Sequence, residues 1–308
     1  GTPLPHGRTE AALSEGFRLQ QSHLPTDPPG AGMPSPQREG YTFRPGYGFT
    51  PPLPAREEMR SLRTTGNFLG FTLIFYLLLS MTASGLLARL LSGIFPDIIL
   101  MGNSYAAGTL ASGIITAISM VLRLSIPFLL YCHLLRMPRR VAIPTRLPDL
   151  SIALPGVFIC LGVSALGGLC SQYIAYISSR LFGVVPVSDG IPLSGDPLQL
   201  FFGFFNLILL PALLEEIVFR GVVMQSLRRY GDTFALIVSA IVFMLVHGNF
   251  AQASNALLMG IAIGYFVLRT GSIWTGVLIH LVNNLMVVLA EGVTRMLPAE
   301  MKGLMPAV

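Results

Sequence analysis

Residues 64–88 carry no charge, 25 positions in succession. As a helix rising about 1.5 Å per residue, such a run crosses the ~30 Å hydrocarbon core of a bilayer. A second uncharged run covers residues 150–179. Composition agrees with these two runs. Only 11% of the 308 residues are charged and mean hydropathy is +0.66, whereas soluble domains carry about 25% charged residues. An ordinary soluble enzyme is thereby excluded, and the chain reads as an all-α, polytopic membrane helical bundle. Net charge is +5, almost all of it arginine. In a membrane protein basic residues report topology, so they are not read as a nucleic-acid signal. Cys132, Cys160 and Cys170 stand in apolar stretches without CxxC spacing and read as small buried hydrophobes.

The first 66 residues differ in character. They hold 11 of the 23 prolines. Such a segment buries too little apolar area to offset its chain entropy, so residues 1–66 are expected to form a disordered cytoplasmic tail. No apolar stretch near the start suggests a signal peptide. Tyr41, Phe43, Tyr47 and Phe49 form an aromatic patch read as part of a solvated linker.

Residues 67–292 are expected to form the bundle, with 293–308 a short C-terminal tail. Seven spans are placed at about 67–90, within 108–135, at 150–175, from 198 into Glu215-Glu216, and at 233–248, 254–269 and 272–291. Residues 98–135 leave room for an eighth, short or re-entrant, helix. Arginines at 56, 60 and 63, at 136, 139, 140 and 146, at 228 and 229, and at 269 fall in alternate loops. The intervening loops, 92–106 and 181–197, contain none. By the positive-inside rule the N-terminus is cytoplasmic and the C-terminus lies outside. Arg123 is expected near an interface, with the second span starting late.

Ionisable groups within spans are functional candidates by default, and here they gather in the last third. Glu215 and Glu216 end an apolar run. Glu216 and Arg220, four apart, share a helix face and can pair, leaving Glu215 free. Pro211 removes a backbone hydrogen bond just before them. His247 follows Phe243 by four residues, and Asn284 follows His280 by four. Glu215 and His247 are each 16 residues from Gly231, so an antiparallel hairpin sets them at one depth; His280 and Asn284 reach the same layer. Two carboxylates, two histidines, an arginine and an asparagine suit hydrolysis by an activated water. Glu215 would be the base, His247 would orient the water, and His280 and Asn284 would face the oxyanion. A divalent metal such as zinc, on His247, His280 and Glu215 or Glu216, is equally writable. No HExxH motif occurs, nor a GxGD within a span. Ser164 lies in a small-residue run better suited to helix packing.

Glu215-Glu216-x-x-x-Arg220, Phe243-x-x-x-His247 and His280-x-x-x-Asn284, in this order, resemble the three signatures of the CPBP family of intramembrane proteases, relatives of the CAAX prenyl endopeptidase also known as the Abi family. The resemblance covers about residues 190–292. It implies a multi-pass protein of the bacterial cell membrane with a cytosol-facing cavity, cleaving lipidated or other membrane-associated substrates. Glu215 would then activate water beside His247, His280 and Asn284, with Glu216 and Arg220 in support. Some relatives are bacteriocin self-immunity proteins, so a non-catalytic scaffold retaining the site is the alternative reading. A transporter would more usually show inverted repeats with broken helices, which are not evident here.

Overall fold

A computed structural model of the chain describes residues 42–44, 48–50, 55–102, 104–183, 196–249 and 252–296. The chain divides into two units, residues 1–61 and 62–308. In the first, β1 (Thr42–Arg44) pairs antiparallel with β2 (Gly48–Thr50), setting Phe43 opposite Phe49. Tyr41 and Tyr47 lie outside the described residues, as does most of the expected tail. Helix α1, Ala55–Leu91, begins a dozen residues before the expected start of the first span.

In the second unit α1 is followed by a short hairpin, β3 (Ile99–Met101) and β4 (Ser104–Ala106). This hairpin occupies the stretch where an eighth helix had room. Arg89 donates to the Gly102 carbonyl at 2.8 Å, and the Gly108 N–H donates to Asp97 at 3.1 Å. Then come α2 (Thr109–Leu134), the one-turn α3 (Arg139–Ala142) and α4 (Leu150–Phe182). Because α2 starts directly after Gly108, Arg123 is fifteen positions into a 26-residue helix. The expected late start of this span is therefore corrected, and Arg123 stands mid-helix.

The expected fourth span is a helical run that passes the glutamates and ends only at Tyr230. It comprises α5 (Pro197–Phe204), a π-helical segment π1 (Phe205–Leu209), α6 (Leu210–Glu215), a second segment π2 (Glu216–Val223), α7 (Met224–Leu227) and a 3₁₀ turn (Arg228–Tyr230). Asp196 caps the start, accepting from the Leu198 N–H at 3.0 Å, with Pro197 in the first turn where a missing donor costs nothing. Gly231, at φ 121°, makes the reversal that no side-chain-bearing residue readily adopts. Helices α8 (Asp232–Val246), α9 (Ala253–Thr270) and α10 (Ile273–Met296) complete the bundle.

Five of these helices are long and apolar enough to cross a membrane: 56–91, 109–134, 150–182, 253–270 and 273–293. The other two expected spans are the π-interrupted run and α8. Fifteen residues rise only about 22 Å, so α8 is shorter than a full crossing.

The arginine-bearing loops meet at one end. Thr145 bridges Ser272, the Ile273 N–H donates to the Pro144 carbonyl at 3.0 Å, and Ser272 Oγ donates to the Arg146 carbonyl at 2.5 Å. Thr65 and Tyr230 share a hydroxyl hydrogen bond at 3.1 Å. The core runs along the helical run's inner face, where Phe219 packs edge-on against Phe128 of α2 and Phe243 of α8, at 5.8 and 5.1 Å. Gly221 rests on the carbonyl of Ala142, which a Cβ would approach to 2.6 Å, so α3 can seat directly on π2.

Candidate active site

The two π segments prepare the site. Bonding from i to i+5 adds a residue to the turn and displaces side chains from α-helical register, a device frequent at functional sites. The first lies just before Pro211, which has no N–H to offer the Leu207 carbonyl four residues back. The Asn284 side-chain amide supplies one instead, at 3.2 Å. A backbone gap in one helix thereby anchors α10 to it.

The second segment starts at Glu216. Its side chain is fully buried, and Oε1 accepts from the Arg220 guanidinium at 2.7 Å and from His280 Nδ1 at 2.8 Å. Glu216 Oε2 has no hydrogen-bond partner among the described residues. It lies against Gly276, where a Cβ would come within 2.6 Å. Arg220 is 1% exposed. It also donates to the Gly260 carbonyl at 3.4 Å and lies 4.3 Å over the Phe243 ring. Such a charge needs these partners, since an unpaired guanidinium away from water is costly.

A carboxylate only accepts, so His280 Nδ1 carries the hydrogen in the contact with Glu216. In the neutral ring that leaves Nε2 as an acceptor, 3.9 Å from Oε2 of Glu215. Glu215 retains 16% side-chain exposure and is not drawn into the arginine pair. His247 occupies the C-cap of α8 rather than its interior. Its Nδ1 donates to the Phe243 carbonyl at 2.7 Å, which likewise turns its Nε2 into an acceptor. The Phe243 ring joins the group, with centroids 4.6 Å from His247 and 6.0 Å from His280.

Glu215, Glu216, Arg220 and His280 are thus in direct register, His247 packs on the Phe243 ring that also flanks His280, and Asn284 stands one turn beyond His280. The geometry differs from the sequence expectation in one respect. The sequence puts His280 on the oxyanion side, whereas with its Nδ1 hydrogen committed to Glu216 it presents a lone pair beside Glu215. Sequence reasoning also passed over Asn206, Asn283, Gly260 and Gly276. Asn206 donates to the Gly113 carbonyl at 3.0 Å, and both asparagines are buried with an unpartnered Oδ1. Uncharged asparagines in apolar helices are the available signal, and of these only Asn284, four residues from His280, stands out by spacing.

A metal set of His247, His280 and a glutamate does not fit this arrangement. Among the described residues no group of three or more His, Cys, Asp or Glu side chains is placed to hold an ion. Glu216 Oε1 is engaged by both Arg220 and His280, its Oε2 is turned against Gly276, and the pair of Glu215 and His280 offers two donors, fewer than the three protein ligands usual in a catalytic zinc site.

Residues 197–286 match the family described as Type II CAAX prenyl endopeptidase Rce1-like. Over 140 residues the chain is 27% identical to the protein named "Putative membrane peptidase YdiL" of Bacillus subtilis (strain 168). That match covers 45% of this chain and 55% of the relative, little more than half its length. No solved structure matches the chain. The matched segment contains all three motifs and every contact described above around Glu216. In that segment and those motifs, the chain is similar to the CPBP family of membrane proteins.

Proposed function

We propose that the protein is an intramembrane endopeptidase that hydrolyses a peptide bond in a membrane-associated or lipidated protein. The observation that carries this reading is the 3.9 Å separation between Glu215 Oε2 and His280 Nε2, backed by the sequence His280–Glu216–Arg220. Two acceptors at that spacing are too far apart to bond each other and close enough to bind both hydrogens of one water. A reacting group, a neighbour, and a third group that fixes the neighbour's tautomer form the general arrangement of activated hydrolysis.

In the proposed reaction Glu215 takes a proton as the water oxygen attacks the scissile carbonyl, forming the new C–O bond. The carbonyl π electrons move to oxygen, and the second amide hydrogen of Asn284 stabilises that oxyanion. Collapse breaks the C–N bond, and Glu215 returns the proton to the departing amine. His247, across the Phe243 ring from His280, is a positioning residue and does not bond this water. Glu216 and Arg220 position His280. We place the site in a cytosol-facing cavity of a bacterial membrane protein with its N-terminal tail inside, because the arginine-rich loops share one end of the bundle.

The test is a comparison of membrane peptides from cells carrying wild-type protein or Glu215→Gln. Peptides whose abundance depends on Glu215 are expected. If no peptide accumulates or disappears, a non-catalytic role replaces the peptidase.

A further inference from the structure

Arg123 is the one mid-helix cation of the long spans that the site does not absorb. It is eleven residues, or about 16 Å, from the basic end of α2, more than a snorkelling side chain covers. The side chain is half-buried and its Nε is enclosed without a partner. Among the described residues it makes no hydrogen bond or ion pair. Intramembrane arginines ordinarily face a partner or a wet cavity, because an unpaired charge there is expensive.

Its depth follows from three cross-helix contacts. The Gly113 carbonyl accepts from Asn206, Phe128 packs on Phe219, and Tyr131 shares a hydrogen bond with Ser226 at 2.9 Å. The partners are thus 91–95 residues apart and α2 runs parallel to the π-interrupted helix. The same offset sets Arg123 level with residues 214–218, the turn that bears Glu215 and Glu216. Glu216 is already paired with Arg220, so it does not supply the counter-charge.

We propose that Arg123 binds a carboxylate of the peptide substrate and thereby sets where the chain stops relative to Glu215. This rests on the peptidase reading. A guanidinium fork matches a carboxylate with two parallel hydrogen bonds, and at this depth the pair is little screened. The carboxylate is either the peptide's C-terminus or an acidic side chain. Arg123 is a specificity determinant and takes no part in proton transfer.

The experiment uses the full chain in nanodiscs of neutral phosphatidylcholine and a fluorescent, N-terminally lipidated decapeptide of alanine and leucine. It is made as the free acid, as the C-terminal amide, and as the amide with one internal glutamate. Binding is read by thermophoresis. Wild type is expected to bind one of the two carboxylate peptides at least tenfold more tightly than the plain amide, identifying the source. Arg123→Gln should abolish that preference while leaving amide binding within about twofold, and Arg123→Lys should retain part of it. Equal binding of all three peptides to wild type, including none, overturns the proposal and leaves the Glu215 test untouched. So does an Arg123→Gln variant that weakens acid and amide alike, or a carboxylate preference that persists in it. A preference erased by adding anionic phosphatidylglycerol to the wild-type nanodiscs would assign Arg123 to lipid phosphate instead and also overturn it.

Discussion

Replacing Arg220 with methionine removes the only cation bonded to Glu216 among the described residues and keeps much of the side-chain volume. The charge-assisted bond at 2.7 Å contributes about 1.5–3 kcal/mol, and the guanidinium 4.3 Å over Phe243 adds about 0.5–2 kcal/mol. Glu216 would then hold its charge fully buried with only His280 Nδ1 donating to it. Breaking a buried pair from one side costs about 3–5 kcal/mol, and this variant is expected to fall in that range. The double variant Arg220→Met with Glu216→Leu removes both charges and should recover most of the loss, to within about 1–2 kcal/mol of wild type. It would remain inactive, because His280 loses the acceptor that fixes its tautomer. Unfolding of the full chain in mixed detergent micelles, followed by circular dichroism for the two single variants and the double variant, measures the coupling energy. An Arg220→Met cost below about 1 kcal/mol, or strictly additive losses in the double variant, would refute the ion-pair account.

Two further outcomes follow from packing and backbone satisfaction. Gly221→Ala puts a Cβ 2.6 Å from the Ala142 carbonyl, a backbone atom that cannot swing aside, and is expected to lower stability by about 1–3 kcal/mol in the same unfolding assay. Asn284→Ala orphans the Leu207 carbonyl and should cost about 1–3 kcal/mol. Pro211→Ala restores a main-chain donor opposite that carbonyl, so it should offset part of the Asn284→Ala loss; a double-mutant cycle with no coupling would contradict the proposed anchor.

Much of the bundle was legible because the signals that build it are local. Uncharged runs of 25 residues and more dictate helices, and Gly231 and Gly271 stand where two helices end. The pairing of Glu216 with Arg220 followed from spacing alone, since four residues bring side chains to one face in an α turn and nearly so in a π turn. What the sequence concealed are consequences of long-range packing. The π segments arise where Pro211 breaks the ladder and where a buried ion pair must be accommodated, and neither leaves a periodic pattern. Nor did residue types show which histidine nitrogen carries hydrogen. That depends on Glu216 and on the Phe243 carbonyl, which fold up to His280 and His247 from elsewhere. The late start expected for the second span fails for a similar reason: a hairpin ending at Ala106 fixes where α2 begins, and hydropathy does not see it.

The central claim is that Glu215, and not its neighbour, activates the water. It is tested by hydrolysis of a Glu215-dependent peptide by the purified full chain in proteoliposomes, comparing Glu215→Gln with Glu216→Gln. Among the described residues Glu215 makes no short bond, and it keeps some exposure. Glu215→Gln should therefore unfold within about 1 kcal/mol of wild type and yet lose on the order of 10²–10⁴ in kcat. Glu216→Gln should instead lose several kcal/mol of stability together with its activity. A Glu215→Gln protein that folds and cleaves at the wild-type rate would contradict the account.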